Sequence, residues 1–293
     1  MNRVSVCVTM AALLAPAVLW GQAKESSVKK DLKSLSAPSG MPGGGGASAD
    51  KPAKIIQLSK DIASLPAGEK KIEDADQLAA ISTQGENGKD AMQAAADTLA
   101  AALKESPQPA GKDGEVAHPY LELARMARYA GVKTSLNDPM MDQAAKTVLA
   151  NEADVAKADF TLKNLDGKKV TLSELKGKIV LIDFFSMACP SCVHELQDLE
   201  LIHEHYAKQG LVILSITDDN PAATLRAISR MNYQPQVLTD DGGKVAKEFH
   251  TDGVPRTFVF NRDGKLIGES LDTCTQRQFF AMLGAAGLQP EQR

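Results

Sequence analysis

The strongest constraint on the fold of this 293-residue chain is an apolar run that leads directly into a pair of cysteines. Residues 179–185 read Ile-Val-Leu-Ile-Asp-Phe-Phe. Such a nearly continuous apolar run predicts a strand in the middle of a sheet that is covered on both faces. Cys189-Pro190-Ser191-Cys192 follows, and the amphipathic stretch after it predicts a helix. We therefore expect a cysteine where a buried strand ends and a helix begins.

That position favours redox chemistry. Backbone N–H groups and the helix dipole at a helix N-terminus favour the thiolate, which is the form that attacks disulfides. Cys189 is the predicted nucleophile. Cys192 lies one helical turn further on, close enough to attack the bond that Cys189 forms and to release its partner. We interpret Cys192 as the resolving cysteine.

Two other uses of a Cys-x-x-Cys pair are less favoured. A zinc site needs two further ligands at suitable spacing, and the chain offers only Cys274 and scattered histidines. A purely structural disulfide would close a very short loop and stabilise the chain little. We expect no metal and no cofactor. The histidines that show no ligand spacing, and that we interpret as solvated or structural, are His118, His194, His203, His205 and His250.

The N-terminus has the pattern of an export signal. One positive charge at Arg3 precedes a long apolar stretch to Trp20, and small residues follow near Ala23. We interpret residues 1–23 as a cleaved signal peptide and the protein as periplasmic or otherwise exported. The alternative is an uncleaved membrane anchor, because the stretch is just long enough to span a bilayer. Cleavage would remove Cys7 and leave Cys274 as an unpaired third cysteine.

Composition divides the rest of the chain into three parts. Residues 24–50 end in a Gly-, Pro- and Ser-rich run and are predicted to form a flexible linker. Residues 51–152 are rich in alanine and carry helical periodicity in four stretches, so they predict a small all-helical module. The module shows no catalytic pattern; it is either a partner-docking or dimerising unit or a spacer. Residues 153–293 form the third part.

This third part alternates between strand and helix patterns. An Asp-Gly turn at residues 166–167 joins two short strands, and a second hairpin crosses residues 261–264. Between them we predict the buried strand, a helix from Pro190 to about Lys208, a strand over 211–217 and helices near 222–231 and 244–249. A last helix is predicted over about 275–286. The predicted order is β-hairpin, βαβ, α, β-hairpin, α.

Three ordered motifs carry a family resemblance. They are Leu-Ser-Glu-Leu-Lys-Gly-Lys at residues 172–178, the strand with its Cys-Pro-Ser-Cys motif, and Gly-Val-Pro-Arg-Thr-Phe-Val at residues 253–259. Residues 158–288 resemble the thioredoxin superfamily, and more narrowly its TlpA-like exported thiol-disulfide oxidoreductases. The implied fold class is α/β: a thioredoxin-like central mixed sheet flanked by helices, preceded here by the helical module.

The resemblance also suggests further site residues. It implies that Pro255 is cis and that Val254 offers backbone groups to an incoming peptide. Asp183 matches the buried acid of thioredoxin, and its apolar surroundings should raise its pKa and make it a candidate proton acceptor for Cys192. The alternative for Asp183 is a carboxylate turned to solvent. Glu195 matches an acid of TlpA-like proteins, and its alternative is a solvated helix surface.

The chain also departs from relatives of this fold. Ala188 stands where the TlpA-like family typically carries a tryptophan, so partner preference is expected to differ. A peroxiredoxin would place a threonine or serine and a proline before a single peroxidatic cysteine, and here only Ser186 matches. A copper-delivery protein would carry Cys-x-x-x-Cys and a dedicated histidine. Both patterns are less well matched than that of a dithiol oxidoreductase.

The predicted function is therefore an exported thiol-disulfide oxidoreductase that exchanges disulfides with protein substrates, with the role of reductant favoured over that of oxidant. The alternative is a partner-binding or scaffolding protein with little redox turnover. A reductant outside the cytosol needs a membrane electron donor. The net charge of −4 and the absence of a Lys/Arg block argue against nucleic acid as a partner.

Overall fold

The computed structural model describes residues 15–36, 50–84 and 86–289. Within them, a group of helices precedes a seven-stranded sheet. The helices are α1 (Ala15–Ser36), α2 (Lys51–Ala63), α3 (Glu69–Thr83), α4 (Gly88–Glu105), α5 (His118–Arg125), α6 (Pro139–Val155), α7 (Pro190–Tyr206), α8 (Pro221–Met231), α9 (Lys244–Glu248) and α10 (Gln276–Ala285). The strands are β1 (Thr161–Asn164), β2 (Lys169–Thr171), β3 (Ile179–Phe184), β4 (Leu211–Thr217), β5 (Gln236–Thr239), β6 (Arg256–Phe260) and β7 (Leu266–Glu269).

The sheet is mixed, in the order β2-β1-β5-β4-β3-β6-β7. Strand β4 runs parallel to both β3 and β5, whereas β6 pairs antiparallel with β3 and β7. Strand β3 is buried along its whole length, as expected for a central strand covered on both faces. The predicted fold class, an α/β central mixed sheet flanked by helices and preceded by helices, is confirmed.

Alternation along β3 divides its side chains between two cores. Ile179 and Leu181 face the layer of α7 and α10, where Leu196 and Phe279 pack. Val180, Ile182 and Phe184 face the opposite layer. That second core is centred on Phe249, whose ring contacts a cluster of aromatic side chains: Phe160, Phe184, Phe258 and Phe260. Asp183, an odd-numbered residue of β3, therefore points toward the layer of α7.

The linker prediction for residues 24–50 is wrong for residues 24–36. They belong to α1, which contacts α2 and α3. Val28, Leu32 and Leu35 recur at helical spacing and are buried in the core of the helical part, so the apolar stripe outweighs the charged composition around it. Residues 37–49 of the predicted linker lie outside the described residues. Residues 1–14, which make up most of the predicted signal peptide, also lie outside them.

Besides α1, the sequence interpretation missed two further elements, α3 and β5. Helix α3 carries Ile72, Leu78 and Ile81 on its buried side, but charged residues surround them and hide the periodicity. Strand β5 is four residues long, with only Val237 and Leu238 buried, too short for period-two alternation to be visible. Its parallel pairing with β4 gives it its place in the sheet.

Candidate active site

The cysteine pair lies at the junction between β3 and α7. Helix α7 begins at Pro190, and Cys189 is its N-cap residue. Proline suits the first helical position because its fixed φ fits the helix and it lacks an N–H that would stay unpaired. The backbone N–H of Cys192 donates to Cys189 Sγ at 3.2 Å. When the pair is reduced, this N–H and the helix dipole favour a thiolate at Cys189.

The two sulfurs differ in access. Cys189 and Cys192 are joined by a disulfide, with their Cα atoms 5.3 Å apart. Cys192 is fully buried, whereas Cys189 is half-buried. Ser191 Oγ lies 3.2 Å from Cys189 Sγ on the outer side of the pair. An incoming reactant therefore meets Cys189 first.

Residues 252–255, here called the cis-proline loop, lie opposite the cysteine pair. The Val254–Pro255 peptide bond is cis. The carbonyl oxygen of Val254 is 3.7 Å from Cys189 Sγ, and the Val254 side chain is 42% exposed. A cavity of about 220 Å³ lies beside the loop, bordered by Phe184, Phe185 and Val254 among others. The loop thus offers backbone and an apolar surface next to the accessible sulfur.

Two buried carboxyl groups, on β3 and α7, meet at the hydroxyl of Thr257. Asp183 and Glu195 are both 0% exposed, so the alternatives that placed either of them at the solvent are wrong. Thr257 Oγ1 lies 3.4 Å from Asp183 Oδ1 and 3.3 Å from Glu195 Oε1. The backbone N–H of Cys274 donates to Glu195 Oε2 at 2.7 Å. Because one hydroxyl has one proton, Thr257 can donate to only one of the two acids at a time.

The surroundings of these acids disfavour their charged forms. Burial raises the pKa of Asp183 well above its ordinary value, and the Thr257 hydroxyl only partly opposes this. Burial also raises the pKa of Glu195, and the nearby Asp183 charge raises it further. A buried carboxyl group with a raised pKa can accept a proton from a thiol when it is in its carboxylate form. The structure brings Asp183 and Glu195 together at Thr257, and Glu195 lies one helical turn after Cys192 on α7.

The third cysteine of the described residues, Cys274, is a buried free thiol. It packs in the same core as Cys192. Burial raises its pKa well above the ordinary value, and the charges of Glu195 and Asp183 act in the same direction. Cys274 is therefore held as a neutral thiol, which is a poor nucleophile.

Sequence reasoning missed several residues that shape the site. Thr257 lies directly opposite Asp183 in the β3–β6 register, which could have been inferred by aligning the two predicted strands. Asp219 fixes the loop before the cysteines by accepting from the backbone N–H of Met187 at 2.6 Å and from Ser186 Oγ at 3.0 Å. No local pattern marks Asp219 as a partner of that loop.

Comparison with known proteins agrees with this geometry. Residues 154–268 match the model of the AhpC/TSA family. Thiol-disulfide oxidoreductase ResA of Bacillus thuringiensis subsp. konkukian is 27% identical over 121 residues, which cover 41% of this chain and 70% of that relative. The chloroplastic peroxiredoxin Q of Populus jackii is 29% identical over 162 residues, which cover 50% of this chain and 75% of that relative.

Two solved structures are similar to less than half of this chain. The exposed lipoprotein thioredoxin Etrx1 of Streptococcus pneumoniae is 25% identical with a TM-score of 0.40, covering 43% of this chain and 98% of that one. StoA of Bacillus subtilis is 19% identical with a TM-score of 0.39, covering 43% and 96%.

The sheet, the cysteine pair and the family match together define a thioredoxin-like domain. The predicted resemblance to the thioredoxin superfamily is confirmed: residues 154–268 match the AhpC/TSA family model. The relatives to which this part of the chain is similar include the thiol-disulfide oxidoreductase ResA.

Proposed function

We propose that this protein is an exported reductant of protein disulfides that works through Cys189 and Cys192. The observation that carries the proposal is the asymmetry of the pair. The half-buried Cys189 faces the cis-proline loop, with Val254 O 3.7 Å from its sulfur, while Cys192 is fully enclosed. This arrangement supports attack by one sulfur and release by the other.

The proposed reaction runs in two thiol-disulfide exchanges. The Cys189 thiolate attacks one sulfur of a substrate disulfide held against Val254 and Pro255, and the other substrate sulfur leaves as a thiolate. Cys192 then gives its proton to the carboxylate form of Asp183 or Glu195, and the resulting Cys192 thiolate attacks the Cys189 sulfur. The second substrate sulfur leaves, and the enzyme ends with the Cys189–Cys192 disulfide that the structure contains.

Completing the cycle requires two electrons from outside. An exported enzyme has no access to cytosolic reductants, so the donor in this proposal is a membrane protein with its own dithiol. Its thiolate attacks the Cys189–Cys192 disulfide, and a second thiol of the donor restores the free pair. No metal or cofactor takes part in any of these steps.

Export is supported by the sequence of residues 1–23 and is compatible with the packing of α1. Val28, Leu32 and Leu35, which bury α1 in the helical core, all lie after the proposed cleavage point. In the described residues, no helix is both long and apolar enough to traverse a bilayer. Sequencing the N-terminus of the protein recovered from an export-competent host tests this part: a start near Lys24 supports cleavage, and a start at Met1 favours the anchor.

Insulin reduction with dithiothreitol tests the proposed chemistry. We expect wild-type protein to accelerate insulin precipitation and Cys189→Ser to reduce the rate to that of dithiothreitol alone. Cys274→Ala is the control, because it removes a thiol that lies outside the disulfide. An equal rate for wild type and Cys189→Ser would contradict the proposal and favour the scaffolding alternative.

A peroxidase activity is a second candidate, favoured by the alignment with peroxiredoxin Q. In that reaction, Cys189 attacks the O–O bond and becomes a sulfenic acid as an alcohol or water leaves; Cys192 then forms the disulfide and releases water. Hydrogen peroxide consumption with dithiothreitol as electron source, compared between wild type and Cys189→Ser, distinguishes this reaction from disulfide reduction.

A further inference from the structure

The cis-proline loop is anchored to the helical module on its N-terminal side. Arg125, at the end of α5, donates from Nη1 to Asp252 Oδ2 at 2.6 Å. The Arg125 side chain is 7% exposed, and Asp252 is 43% exposed. A charge-assisted bond that is shielded on one side is stronger than an ordinary surface ion pair. Asp252 lies only two residues before Val254, so this bond restrains the backbone that faces Cys189.

The loop is also anchored on its C-terminal side. Arg256, which follows Pro255, is buried in an ion pair with Glu269, and its Nη1 donates to the carbonyl oxygen of Leu271 at 3.1 Å. Tyr129, from the helical module, lines a small cavity together with Arg256 and the same Glu269, and its phenol acts to lower the pKa of that carboxyl group. The module therefore contacts the loop directly at Asp252, and it reaches the other end of the loop only through Glu269 and Arg256.

We propose that the helical module positions the cis-proline loop for peptide substrates, with Arg125 and Tyr129 as positioning residues. The inference rests on the proposed function, because it names what the module contributes to the same site. It also gives the helical module a defined role, in contrast to the interpretation of the module as a spacer. The module does not touch the sulfurs in this proposal; it acts through Asp252 and Glu269 on the backbone of Val254.

The proposal predicts a difference between two kinds of substrate. A peptide disulfide needs the backbone of Val254 to hold it, whereas a small disulfide such as cystamine needs only the Cys189 sulfur. Loss of the Arg125–Asp252 bond should weaken binding of the peptide substrate and of its transition state to a similar extent. Such a loss raises KM and leaves kcat nearly constant. We expect Arg125→Met to raise KM for a peptide disulfide about tenfold, the effect of losing one charge-assisted hydrogen bond.

The matched control is Arg128→Met. Arg128 lies one turn further along the same segment and makes a two-pronged ion pair with Glu152, inside the helical module. The control removes an arginine and a salt bridge and leaves the Arg125–Asp252 bond in place. It also removes the Arg128 guanidinium that lies 5.8 Å from the centre of the Tyr129 ring. Arg125→Lys keeps the charge and provides a second variant if Arg125→Met does not fold. We expect the KM of Arg125→Lys for the peptide disulfide to lie between those of wild type and Arg125→Met, because a single ammonium group replaces the planar guanidinium group.

A second measurement is independent of catalysis. Amide hydrogen exchange by mass spectrometry, on the oxidised full-length protein, reports the opening of residues 250–258 directly. We expect Arg125→Met to accelerate exchange there about tenfold and Tyr129→Phe to accelerate it less, since local opening follows the loss of restraining bonds. Arg128→Met leaves the Arg125–Asp252 bond intact and can act only through Tyr129, so it should accelerate exchange no more than Tyr129→Phe does.

The outcomes separate this inference from the proposed function. The positioning role would be overturned if Arg125→Met and wild type had the same amide exchange rate in residues 250–258 and the same KM for the peptide disulfide. That result would leave disulfide reduction in place. Equal acceleration in Arg128→Met would also overturn it, because the effect would then be general loosening of the module. If wild type reduced neither disulfide, the proposed function would fail, and with it the role of Arg125 in substrate binding; the exchange data would still decide whether Arg125 restrains the loop.

Discussion

The pH dependence of stability is expected to depend on Glu122, a carboxyl group buried where the helical module meets the sheet. Glu122 is 7% exposed and lies on α5. Burial raises its pKa from 4.5 to about 7, and the Asp76 charge acts in the same direction, while Arg125 and His118 oppose it. The folded protein therefore keeps a proton on Glu122 at pH values where the unfolded chain has lost it.

The sign and size of the effect follow from that difference. Between the two pKa values the folded state binds more protons than the unfolded state, so the free energy of unfolding falls as the pH rises. At about 1.4 kcal/mol per pKa unit, a change from 4.5 to about 7 corresponds to about 3 kcal/mol. This stability is fully present below about pH 4.5 and is lost above about pH 7.

Urea unfolding followed by circular dichroism measures this contribution. Because other groups titrate as well, the informative quantity is the difference between wild type and Glu122→Gln at each pH. We expect the variant to gain about 3 kcal/mol relative to wild type between about pH 4.5 and about pH 8. Glu248→Gln, at an exposed glutamate, is the control. A pH-independent difference for Glu122→Gln would refute the claim that burial holds a proton on this group.

Three further predictions address the helical core, the buried acids and the reaction intermediate. Leu32→Ala should cost about 2–5 kcal/mol in urea unfolding, because Leu32 is 1% exposed; no change would mean that α1 does not pack. Thr257→Val removes the hydroxyl that lowers the pKa of whichever buried acid it donates to, so the pH profile of substrate release from Cys189 should move to higher pH. An unmoved profile would exclude the acids from that step. Cys192→Ala should accumulate a mixed disulfide on Cys189 that resists non-reducing electrophoresis, and its absence would contradict the resolving role.

The local parts of the fold could be predicted from the sequence because each depends on neighbouring residues. The apolar run before Cys189 predicts the central strand, and the proline after it predicts the start of α7. The Asp-Gly turn at residues 166–167 lies between β1 and β2 as expected. The strand over 211–217 agrees with β4 to the residue. These elements carry strong periodicity or turn signals of their own.

The rest depends on contacts between distant segments. Arg125 and Asp252 are separated by 127 positions, and neither residue has a local pattern that points to the other. The burial of Glu195 depends on how α7 packs on β3 and β6, since a glutamate on a helix is otherwise expected at the surface. Helix α1 was missed because its three buried side chains lie between charged residues and a Gly-rich run.

The most direct test of the account is the redox equilibrium of the Cys189–Cys192 pair. The purified protein is incubated in glutathione buffers of graded ratio, its thiols are then alkylated, and intact mass counts the labels. We expect one two-electron transition in which the pair gains two labels together. We expect Cys189→Ser to lack this transition. A pair that takes up no label in any buffer, or that is labelled only after a chelator removes a metal ion, would contradict it.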